Sequence, residues 1–253
     1  MKNIFKKIQK IESLPARLKN LYNHYIIRNI GFGLLTLFGP IFLYELGGSL
    51  QFVIYVFLAM SIFYIFLLPL WARILKYWSM HIFLIIGTVF STGYVFFYYL
   101  LAQQNKAILW IVALLVISNV LGKLFYWIPY HVDFARFVDT HHKGRRISYL
   151  WIIISLISIV LPIFSGFLIN RFGFDVLFVF AILIVLISIV PAFFISRTRE
   201  NYSFGYLETF KKMFSGRHFK TNLAYAADGW QSGIGYFVWP IFIFLILDGK
   251  YLQ

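Results

Sequence analysis

Lys123 stands inside the apolar stretch 108–128, where an ionisable side chain is costly and therefore informative. Asn119, Lys123 and Tyr126 recur at i, i+4 and i+7, which puts them on one face of a helix. That face either walls a cavity that holds an anionic or polar solute, or carries a lysine that snorkels to the interface near Pro129. Asn29, Gly33, Thr36 and Pro40 share a face of the first apolar stretch. Small and polar residues beside a proline fit a bent helix lining a cavity, and equally fit close helix packing. Glu45, at the far end of that stretch, is either a protonatable gate residue or the watery end of a helix. Asp133 and Arg136 lie at i, i+3 and can pair across a helix turn. With Asp139 and the run Lys143-Gly144-Arg145-Arg146 they form a charged cluster, read as a latch between conformations or as a solvated charge run. Gly87 and Ser91 have the small-xxx-small spacing of a packing contact. His141-His142 reads as a solvated pair rather than a metal site. No phosphate loop, metal-spaced Cys/His set or Gly-x-Ser-x-Gly occurs, so neither an enzyme nor a cofactor is expected.

The elements that must position these residues follow from composition. The chain is 61% hydrophobic and 13% charged, against about 45–50% and about 25% in a soluble domain. It reads as an all-α integral membrane protein. A net charge of +14 fits a nucleic-acid binder or the basic loops of a membrane protein. The placement of the charges decides for the second, with the lipid bilayer as partner and no nucleic acid. The chain has no cysteine, and no cleavable small-residue site follows its first apolar run, so no signal peptide is expected.

A spanning helix needs about 20 mainly apolar residues. Seven such stretches are expected: 26–46, 52–70, 82–102, 108–128, 147–169, 174–195 and 229–247. Residues 1–25 precede them as a basic segment, read as an amphipathic helix on an anionic surface or as a plain basic tail. Lys and Arg alternate sharply between the connections. Nineteen fall on the side of the N-terminus, Arg28 counted among them. Three fall on the other side (Lys106, Arg171 and Lys250), and Lys123 lies within a span. The positive-inside rule then places the N-terminus in the cytoplasm and the protein in the cell membrane. A seven-helix receptor would have its N-terminus outside, so that class is set aside. The polar, basic connection 196–227, helical around Glu208–Lys212, is long enough to join two bundles, 26–195 and a second one starting at 228.

The last stretch echoes the first. At an offset of 200 residues Gly33 meets Gly233, and Pro40-Ile41-Phe42 meets Pro240-Ile241-Phe242. Internal repeats of this kind mark secondary transporters. Together with six spans, a basic link and a repeated first helix, the stretch Leu161–Ile169 running on to Arg171-Phe172-Gly173 resembles the major facilitator superfamily. The link Pro69–Ser79 stands at the place of that family's Gly-x-x-x-Asp-Arg-x-Gly-Arg-Arg signature. It departs from it, with Lys76, Tyr77 and Ser79 at the Asp, Arg and Gly positions. Leu161-Pro162 replaces the Gly-Pro of the antiporter signature, so drug–proton antiport is not supported.

The resemblance implies two six-helix bundles with the solute held between them near mid-membrane, exposed to each side in turn. The first, second, fourth and fifth helices would line the cavity, and the seventh would begin the opposite wall. Asn29, Thr36, Asn119, Lys123, Tyr126, Gln231 and Tyr236 are the expected cavity residues, with Glu45, Asp133 and Arg136 as coupling or gate residues. The expected function is transport of a small solute, with coupling to protons or another ion left open. The chain is expected to end one helix into its second half, and so not to transport alone. The alternative is a seven-helix membrane protein without transport activity, such as a scaffold, a receptor-like module or an inactive remnant.

Overall fold

The computed structural model describes residues 16–137, 143–200 and 205–249. Most of the basic segment 1–25, Asp139, His141-His142 and Lys250 lie outside the described residues. Every regular element among the described residues is a helix. They run α1 (Ala16–Thr36), α2 (Phe38–Gly47), α3 (Leu50–Ile74), α4 (Met80–Gln104), α5 (Leu109–Phe137), α6 (Lys143–Phe172), α7 (Phe174–Ile187), α8 (Ile189–Phe193), α9 (Tyr206–Met213), α10 (Gly216–Gly233) and α11 (Trp239–Ile246). A π-helical turn, Ile234–Val238, joins the last two. They make seven helices long and apolar enough to cross a membrane, the first being α1 with α2, the sixth α7 with α8, and the seventh α10 through α11. All seven expected spans are therefore helices. The first starts earlier than the apolar run does, at Leu18, so one helix runs across residues 25 and 26. The seventh likewise starts at Phe219, inside the expected link.

Proline explains three interruptions. Its ring clashes with the carbonyl four residues back and it lacks an N–H. Span 1 breaks at Leu37, between Thr36 and Pro40, and span 6 at Ser188, three residues before Pro191. In span 7 the π turn widens the helix just ahead of Pro240, and Trp239 N–H reaches back to Ile234 O. The open turn at Ser188 gains a substitute partner. His24 Nδ1 lies 2.6 Å from Ser188 O, and because a carbonyl only accepts, that nitrogen carries the proton. Between spans 1 and 2, Gly48 (φ 66°) donates its N–H to Tyr44 O, and Ser49 caps α3 by accepting from Phe52 N–H at 3.2 Å.

Within a bilayer, helices associate through close packing rather than hydrophobic burial, so small residues sit where axes approach. A Cβ on Gly87 would lie 2.9 Å from Tyr126 N, and one on Gly122 2.9 Å from Ser91 Oγ, which locks spans 3 and 4 together. Gly31 faces Val185 of span 6 and Gly33 faces Leu161 of span 5 at similarly short range. Gly33 thus serves packing, while Asn29, Thr36 and Pro40 look elsewhere. Span 1 lies against spans 4, 5 and 6 at once. Spans 2 and 5 instead present apolar outer faces, with Tyr55, Phe63 and Phe66 exposed on one and Trp151, Leu156 and Ile159 on the other. Such surface is tolerable against lipid and not in water.

The chain leaving span 6 straps the ends of spans 3 and 4. Thr198 C=O accepts from Met80 N–H at 2.9 Å, its hydroxyl donates to Asp133, and Arg136 pairs with Glu200. Asp133 is fully buried in this contact. Glu208, in α9, accepts from Gly205 N–H and pairs with Lys212 at 3.1 Å. Those contacts hold its carboxyl below its ordinary pKa of 4.5.

Candidate functional site

A cavity of about 500 Å³ opens between spans 1, 2, 3 and 4 on one side and span 7 on the other. Span 1 supplies Arg28, Asn29, Phe32, Thr36 and Pro40, residues at helical spacing along one face. Spans 3 and 4 supply Ser91, Tyr94, Tyr98, Asn119, Lys123 and Trp127, and span 2 supplies Phe57 and Ser61. Span 7 closes the remaining side with Gly229, Ser232, Gly233, Tyr236 and Phe237.

The two ends differ in chemistry. At one end Arg28 is 6% exposed and set in the protein rather than at its edge. Its guanidinium carbon lies 3.7 Å from the Tyr126 ring centroid and 4.4 Å from that of Phe32, and Nη2 donates to Ser91 Oγ at 2.9 Å. Nε has no partner. The close approach of Gly122 to Ser91 fixes the hydroxyl that receives Arg28. Lys123 comes from span 4, one helical turn beyond Asn119, whose buried Oδ1 also lacks a partner. Toward the other end the lining becomes aromatic. Phe32 stacks on Tyr94 at 6.3 Å, and Tyr94 donates to Tyr98 O–H at 3.2 Å. Phe57 stacks on Phe237 at 5.0 Å and 12°, joining spans 2 and 7. Past that pair Ile241 and Phe244 enter the core formed by Phe38, Ile41 and Phe42. The earlier part of span 7, by contrast, is largely exposed up to Trp230.

Of the expected cavity residues, Asn29, Thr36, Asn119, Lys123 and Tyr236 line this one space. Tyr126 lies behind the wall, fully buried, with its ring face on Arg28. Gln231 is exposed on span 7 and does not border the cavity. Glu45 is exposed at the end of α2, beyond Pro40. Asp133 and Arg136 sit at the end of span 4 under the strap, outside the cavity lining, each bonded to the link rather than holding a turn together. Arg28 and Ser91 are residues that the sequence reading assigns elsewhere, one to the basic N-terminal charges and one to packing alone. The signal for Arg28 is the stripe Leu18, Leu21 and Tyr22, which is buried, with Tyr25 half-buried beyond it, and which extends the first helix back past His24.

Seven apolar helices, five of them lining a cavity of mixed polar and aromatic character, define an integral membrane protein of the transporter type. The chain belongs to the Major Facilitator Superfamily, whose family model matches residues 22–249. Comparison with curated proteins gives no match.

Proposed function

We propose that this chain supplies one wall of a site that moves a small solute across the membrane by alternating access, with its N-terminus in the cytoplasm of the cell. The observation that carries the reading is the cavity itself. It lies between the first bundle and span 7, with Phe57 stacked on Phe237 toward the Pro40 end and the early part of span 7 exposed. With the basic connections inside, the closed end faces out and the arginine end faces the cytoplasm. Asn29, Thr36, Asn119, Lys123 and Tyr236 touch the solute, and Arg28 joins them. The breaks at Leu37 and at Ile234–Val238 lie beside the cavity on its two sides, where a change of helix bend opens one end as it closes the other.

The absence of cysteine makes the test direct. In inside-out vesicles, Lys123→Cys reacts with a membrane-impermeant maleimide, and in right-side-out vesicles the reaction slows at least tenfold. A cysteine at 123 that resists the reagent from both sides removes the aqueous cavity and the function with it.

A further inference from the structure

The charges of the cavity identify the chemistry of its solute, an inference that rests on reading the cavity as the solute site. Arg28 and Lys123 line the same 500 Å³ space, and its lining holds no Asp or Glu. A cation at this depth normally pairs with a carboxylate or a backbone carbonyl. Among the described residues neither has an ion-pair partner, and the bond of Arg28 to Ser91 leaves Nε, itself buried, without an acceptor. Two like charges facing one small space repel each other, and a bound anion removes that repulsion while supplying the missing acceptor. The rest of the wall is unsuited to a bare inorganic ion. Phe32, Tyr94, Trp127 and Tyr236 line the same space, an aromatic surface that suits an apolar body.

We infer that the cavity takes a small organic anion, its carboxylate or phosphate group held between Arg28 and Lys123 and its ring-bearing body along the aromatic wall. The planar fork of Arg28 grips two oxygens, whereas Lys123 acts as a point charge, so the two are not interchangeable.

The test uses the full chain in detergent micelles and four probes of one shape: 2-naphthoate, 2-naphthyl phosphate, neutral 2-naphthamide and cationic 2-naphthylmethylammonium. Binding is read as a shift of the thermal midpoint and as protection of a Thr36→Cys variant from maleimide. At least one of the two anions binds about tenfold or more tighter than the amide, the scale of a charge-assisted hydrogen bond, and which one leads separates carboxylate from phosphate substrates. Arg28→Gln and Lys123→Gln each weaken the anion by about tenfold or more and leave the amide unchanged, and Arg28→Lys recovers part of the loss. If Arg28→Gln does not fold, Lys123→Gln alone decides. The inference is overturned if the amide or the ammonium binds as tightly as the anions, if Lys123→Gln changes nothing, or if position 36 reacts and no probe protects it. A position 36 that never reacts overturns the solute site as well as the anion.

Discussion

Replacing Arg28 with methionine, a neutral side chain of similar reach, should leave the empty protein as stable or make it more so. Even after relaxation, burying a charge costs several kcal/mol. Against this the structure offers two ring contacts, at 3.7 and 4.4 Å, and one hydrogen bond of 2.9 Å. Desolvated cation–π contacts return about 2 kcal/mol each, and the bond to Ser91 about 1.5–3. The unpartnered Nε takes back about 1–3 kcal/mol. These figures cancel to within a few kcal/mol, and since apolar replacement of buried ions is often neutral or stabilising, Arg28→Met should gain from nothing up to about 3 kcal/mol. At about 2–4 °C per kcal/mol for a chain of this size, the midpoint rises by up to roughly 10 °C. Tryptophan fluorescence during thermal unfolding in micelles reads it directly. Saturating amounts of the tighter-binding naphthyl anion should then raise the midpoint of the wild type and not that of the variant. A fall of more than about 3 kcal/mol in the empty variant, the cost of breaking a paired buried ion, would refute the reasoning. Arg28 would then be a satisfied structural residue rather than one waiting for an anion.

Three further outcomes are expected. Gly87→Leu drives a side chain into the backbone of Tyr126 and Phe125, which cannot yield as a flexible side chain would, and costs about 1–3 kcal/mol or more; an unchanged midpoint would contradict the close approach of spans 3 and 4. Thr198→Val strips the hydroxyl from the fully buried Asp133, costing about 1–3 kcal/mol, and limited proteolysis should then cut the strap at 196–200 more readily than in the wild type. Glu208 has its carboxyl held below 4.5 by the Gly205 N–H and Lys212. A depressed pKa means a contribution present above the unfolded value and lost as pH falls through the folded one. Hydrogen exchange of Tyr206–Met213 should be flat from pH 5 to 8, after correction for intrinsic rates, and quicken only below about 4.5.

The seven spans were readable because hydropathy is a property of whole segments, and each apolar run of sufficient length became a helix. Lys123 was readable for the opposite reason, as a lone charge inside such a run. Arg28 was not, because Lys19 and the earlier cations make it look like the last of a basic tail. Only the burial of Leu18, Leu21 and Tyr22 against spans 3, 4 and 6 shows that the helix has already begun. Asn29, Thr36 and Pro40 share a helical face, which predicts that they look the same way but not toward what. Gly33, on nearly the same face, meets Leu161 instead. Tyr126 illustrates the limit of i, i+7 reasoning: two positions seven apart differ by about 20° on a straight helix, and beside a cavity wall that is enough to turn a side chain inward. Asp133 and Arg136 satisfy the spacing of a helix pair, yet a strap arriving from 64–65 residues away takes both. Local spacing cannot anticipate a partner that remote in the chain.

The shelter around Arg28 also sets an order of events during synthesis. Of the residues that receive it, only Phe32 is on the same helix, while Ser91 and Tyr126 belong to spans 3 and 4, so the first helix emerges with a charge that is only partly accommodated. At ribosomal speeds of about 5–20 residues per second, Tyr126 follows Arg28 by roughly 5–20 s. Through that interval the first helix should stay at the translocon or the interface, and reach its final depth once the fourth has been made.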